Sequence, residues 1–125
     1  MIAEFTIKYK AKEGRTTKIV SLNQYKSLHW QALKKKLDPL KLEFTNLIKK
    51  CNPPRLRWME LRIEHNINFD LDNIAGTIKP FVDCLRAKEI IPEDNKKFWS
   101  YLSISYNPEV EKNYLYFTIT GEILG

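Results

Sequence analysis

Residues 58–73 read Trp58-Met59-Glu60-Leu61-Arg62-Ile63-Glu64-His65-Asn66-Ile67-Asn68-Phe69-Asp70-Leu71-Asp72-Asn73. In the first half Met59, Leu61, Ile63 and His65 alternate with Trp58, Glu60, Arg62 and Glu64, a period of two that predicts a strand with one buried face. Beyond Asp72 the apolar positions become Ile74, Ile78, Phe81, Val82 and Leu85. At about 100° per residue these five share one side of a helix. A strand therefore hands over to a helix where two carboxylates, Asp70 and Asp72, stand one residue apart. On the same wheel Asp72, Lys79 and Asp83 fall together, away from the apolar stripe. Pro80 would clash with the carbonyl of Gly76 in an ideal helix, so the spacing predicts one helix with a local kink that the glycine eases.

Upstream, Glu4 to Lys10 alternates again and predicts a strand. Gly14 marks a turn, and Thr16 to Ser21 forms a short second strand or an extended loop. From about Ser27, Trp30, Leu33, Leu37, Leu40, Phe44, Leu47 and Ile48 recur at steps of three and four, one stripe of a long amphipathic helix. Its phase is unbroken across Pro39, which predicts a single kinked helix, and Asn52-Pro53-Pro54 stops it. Downstream, Ile90 to Asn95 is a turn carrying the acidic pair Glu93-Asp94. Leu102, Ile104 and Tyr106 alternate with Tyr101, Ser103 and Ser105. Tyr114 to Thr120 is a last strand, read as closing a hairpin with the one before. The order predicts a single α+β domain over residues 1–125, a small mixed β-sheet with two main helices packed on it.

The 125 residues suffice for one core, and 43% hydrophobic content is that of a folded chain. No stretch has the apolar length of a signal peptide or membrane span, so the expected location is cytoplasmic, without membrane association. Cys51 and Cys84 are too distant to form a metal knuckle, and His29 and His65 lack a second histidine at ligand spacing. The formal charge is +6, which favours a polyanionic partner. Lys34, Lys35, Arg55, Arg57, Lys96 and Lys97 are the candidate contacts to a nucleic-acid backbone.

Carboxylates at a strand-to-helix junction suit a hard cation such as magnesium, which takes oxygen ligands and activates phosphodiesters toward water. A calcium loop does not fit, because Ile74 and Phe81 occupy its fifth and twelfth positions. No glycine-flanked serine or cysteine suggests a nucleophile.

The span Asp70-Leu71-Asp72-Asn73 … Lys79 … Asp83-Cys84-Leu85 … Glu93-Asp94-Asn95 resembles the signature of RusA-type Holliday-junction resolvases. In that family Asp-x-Asp-Asn precedes a helix carrying a lysine and Asp-x-Leu, and an acidic pair opens the next strand. The resemblance implies a RusA-like fold and magnesium-dependent hydrolysis at four-way DNA junctions, with manganese as an alternative ion, by a homodimer. It implies Asp70, Asp72 and Asp94 as metal ligands, Lys79 as the catalytic or phosphate-contacting amine, and Asn73, Asp83 and Glu93 in support. Trp30 and Trp99 are candidates for the dimer surface, since aromatics favour interfaces. Relatives are common in phages and prophages. The chain departs from the family in three places. Lys79 lies three residues further along, Glu93 stands for an aspartate, and Asn66 to Phe69 lacks the arginines that precede the motif in relatives. A different class of function, a non-catalytic nucleic-acid-binding or phage structural protein on the same fold, shares the basic charge and the dimer.

Overall fold

The structure, a computed structural model, describes residues 1–69 and 71–124, Tyr25 by its backbone alone. Asp70, the first aspartate of the motif, lies outside the described residues. The chain runs β1 (Ile2–Lys10), β2 (Lys12–Glu13), β3 (Thr16–Thr17), α1 (Leu22–Ser27), α2 (Trp30–Cys51), β4 (Leu56–His65), α3 (Leu71–Ala75), α4 (Ile78–Ala87), β5 (Trp99–Tyr106) and β6 (Tyr114–Ile123). This is an α+β arrangement with a mixed sheet, as the periodicities predict.

The main sheet has the order β1-β6-β4-β5. β6 runs antiparallel to both β1 and β4, and β4 runs parallel to β5. The expected hairpin of the last two strands is therefore wrong. β5 needs a crossover from β4, which α3 and α4 provide, and residues 107–113 then carry the chain past β5 and β4 to β6. β4 and β6 bury their apolar residues in the sheet centre, while β5 is an edge strand with Tyr101, Leu102 and Tyr106 exposed.

One face of the sheet carries α2 and α4. Phe44 of α2, Phe81 of α4 and Phe117 of β6 meet at its centre. The Phe81 and Phe117 rings stack at 4.0 Å, and Phe44 meets each edge-on at 5.2 and 5.6 Å. Such ring geometry adds to the area that the three side chains bury.

α2 is continuous through Pro39, as the unbroken stripe predicts, and ends at Asn52, whose φ of 49° forms a left-handed cap before the two prolines. It starts later than expected, and Trp30 in its first turn is 64% exposed. The six-residue helix before it is signalled by Ser21 and Gln24, which make a reciprocal capping box.

The helix after the motif also differs from the expected single kinked one. It is two helices, α3 and α4, broken at Gly76-Thr77. Gly76 lies so close to the preceding loop that a Cβ there would sit 2.1 Å from the Val20 carbonyl oxygen. The Thr77 hydroxyl, fully buried, accepts from the Val20 amide at 3.1 Å. Pro80 falls in the first turn of α4, where a missing N–H costs no helical bond. Asp72 therefore rides on α3, and only Lys79 and Asp83 share a helix.

Candidate active site

β4 is buried along one face and ends at His65, which sets where residues 66–69 leave the sheet. Asp72 is exposed in the first turn of α3, where the helix dipole favours a negative charge. Among the described residues it has no hydrogen-bonding or ion-pair partner. Asn73 is half-buried and lines a cleft of about 250 Å³ with Thr17, Ser21, Gln24 and Lys36.

The second half of the site is assembled around Lys79. Its Nζ lies 3.3 Å from Asp83 Oδ1, one turn along α4, and 3.2 Å from Asp94 Oδ2, fifteen residues away in sequence. The Ile90–Asn95 turn thus folds back on the start of α4. Lys41 of α2 reaches the other oxygen of Asp83 at 3.5 Å, and Arg86 lies 4.0 Å from Asp94 Oδ1. Glu93 is exposed and accepts from Asn95 Nδ2 at 3.4 Å. Lys79, Asp83 and Asp94 therefore come together as the motif implies. Lys41 and Arg86 join them without having been singled out in the sequence. Arg86 was legible there, seven residues from Lys79 on one helix face. Lys41 carries no local signal, because its contact depends on how α2 lies against α4.

The charges tune one another. The Lys79 hydrogen bond, then the Lys79 and Arg86 charges, hold the Asp94 carboxyl below the ordinary aspartate range against its own desolvation. For Lys79, desolvation is the largest single influence and acts downward, yet the hydrogen bonds and charges of Asp94 and Asp83 together raise it. The pair's contribution to stability is thus complete above the ordinary carboxylate range and is lost as pH falls through the depressed Asp94 value. At the alkaline end it is lost as pH rises through the raised Lys79 value. Lys79→Met is expected to move the Asp94 carboxyl titration, followed by carbon NMR, back up. An Asp94 titration that does not move would show that the pair is not formed.

Among the described residues, no three carboxylate, imidazole or thiol groups converge on one point. Of the three expected ligands, Asp72 and Asp94 are described and sit on separate elements, and Asp70 lies between β4 and α3 outside the described set. Ionised carboxylate oxygens are the donors a hard cation takes, so the residue types present fit magnesium.

The candidate DNA contacts are scattered. Lys34 pairs with Asp38 at 3.1 Å, Arg55 with Glu89 at 2.8 Å and Arg57 with Glu122 at 3.6 Å. Lys35 lines clefts on α2, and Lys97 lies 5.5 Å from the Phe98 ring centre, while Lys96 is exposed. Exposed pairs of this kind are worth roughly 0.2–1 kcal/mol, so phosphates can displace the carboxylates. Arg55 and Arg57 sit at the opening end of β4, about 30 Å of strand from the loop that carries the motif. They could touch only a different stretch of a long ligand. No protein-family model matches this chain, and no curated protein is significantly similar to it.

Proposed function

We propose that this protein is a magnesium-dependent endodeoxyribonuclease that resolves four-way DNA junctions by phosphodiester hydrolysis, acting as a homodimer. The observation that supports this most is the meeting of Lys79 with Asp94 at 3.2 Å, two separated parts of the ordered motif, at the start of the helix that follows α3 and its Asp72. Asp72 and Asp94, with Asp70, would hold magnesium; manganese accepts the same donors. When bound, the ion polarises the phosphodiester and offsets charge on its oxygens.

The chain's own residues do the rest. Lys79, held by Asp83 from its own helix, would donate to a phosphate oxygen. Asp83 is in turn fixed by Lys41, so the amine is oriented before the substrate arrives. The exposed lysines and arginines contact backbone and fix position without reading bases. Two copies suit a junction with two symmetric cutting points.

Purified protein incubated with a synthetic four-way junction is expected to give paired symmetric nicks with magnesium and none with a chelator. A junction that is shifted on a gel but never cut would leave only the non-catalytic DNA-binding reading.

A further inference from the structure

The parallel strands β4 and β5 end side by side at His65 and Tyr106, and a groove of about 740 Å³ opens there. Tyr106 stands 61% exposed on its wall, with its ring 5.9 Å from and edge-on to the buried His65 ring. Lys12 and Lys112 line it from the β2 strand and the β5–β6 loop, and the Lys12 amine lies 5.9 Å from the centre of the Phe69 ring. Neither lysine has a carboxylate partner among the described residues, and none of the groove's lining residues is acidic. Lys34, Arg55 and Arg57, by contrast, each pair with an acid.

The chemistry of the groove is therefore two amines with no acidic partner among the described residues, an exposed aromatic ring and side-chain amides such as Asn68. His65 lies buried at its edge. Its Nδ1 accepts from the Ile67 amide at 3.4 Å, and burial holds it below the ordinary imidazole range, so the proton of the neutral ring is on Nε2. The wall is the stretch 65–69 that leads directly into the aspartates.

We infer that this groove binds one unpaired nucleotide of a DNA strand, its base stacked on Tyr106 and its phosphate between Lys12 and Lys112. A base within an intact duplex has its faces covered by neighbours and cannot use Tyr106, so the groove selects DNA that is locally unpaired. Stacking on an aromatic side chain tolerates any base, whereas the amines supply salt-dependent affinity. The inference rests on the proposed nuclease reading for its ligand class, but not on cleavage itself.

The test is anisotropy of a fluorescein-labelled eight-nucleotide oligo-dT and of a blunt duplex of the same length. The single strand is expected to bind wild type more tightly than the duplex. Tyr106→Ala should weaken oligo-dT about tenfold, in the range measured for one stacked base, while Tyr106→Phe retains binding. Lys112→Ala should lower the slope of log affinity against log salt by about 0.7, the value for one single-strand phosphate contact. Circular dichroism checks that each variant is folded. Oligo-dT binding unchanged in Tyr106→Ala, or equal affinity for the duplex, overturns the groove even if the junction is cut. Tyr106-dependent binding by a protein that cuts nothing sustains the groove and removes only the nuclease reading.

Discussion

Asp72→Asn is expected to lower magnesium-dependent junction cleavage by on the order of a thousandfold while leaving the fold intact. The size follows from weakening the hold on the ion that would stabilise charge at the reacting centre, and losing one such electrostatic contact costs about 10²–10³. The clean separation from stability follows from position. Asp72 is exposed, has no described partner, and its removal withdraws only a dipole interaction of about 0.3–1 kcal/mol from the first turn of α3. Junction binding should persist or tighten, because a negative charge that repels phosphate has gone. Single-turnover cleavage on saturating protein reads the chemical step, and a gel shift in calcium reads binding. A variant that cuts at the wild-type rate would end the assignment of Asp72 as a ligand.

Gly76→Ala is the second large effect and acts through the fold. The added carbon would lie 2.1 Å from the Val20 oxygen, 2.4 Å from the Ser21 carbonyl carbon and 2.7 Å from the Leu22 nitrogen. All three are backbone atoms, so no side chain can swing away to make room. Either the Val20–Leu22 segment withdraws, breaking the hydrogen bond between the Val20 amide and the Thr77 hydroxyl, or α3 tilts. Overpacking of this kind costs about 1–3 kcal/mol, to which the lost hydrogen bond adds about 1 kcal/mol. The urea midpoint should fall with the slope unchanged. The position of Asp72 relative to Lys79 should also change, so residual folded protein is expected to cleave poorly. A midpoint equal to wild type would mean that the close approach at Gly76 is not present in solution.

These two residues mark where sequence reading succeeds and where it stops. β4 and α2 were legible because their apolar periods are long and each reports burial of a single face. Lys79 and Asp83 were legible because an i,i+4 spacing puts both on one helix face whatever the helix packs against. The wheel that added Asp72 assumed one helix through residue 76, and nothing local to Gly76 announces the backbone of Val20 lying against it. Likewise the alternation in β5 and β6 identifies two strands but not their partners. Pairing depends on β4 being the more deeply buried neighbour for both, a property of the assembled sheet. Asp94 was placed near Lys79 only through the ordered motif, since a contact over fifteen residues leaves no periodic trace.

The strand order has a consequence for how the molecule is made. β6 follows every other described strand in the chain, yet it lies inside the sheet, holding β1 on one side and β4 on the other. Until it emerges, the first strand has no neighbour and Phe81 lacks the ring it stacks on. A nascent chain can therefore gather its helices but cannot close its sheet, and that closure joins residues more than a hundred positions apart. Such long-range pairing slows folding. A chain cut off just before Tyr114 should thus be protease-sensitive, and the chain that includes residues 114–123 resistant.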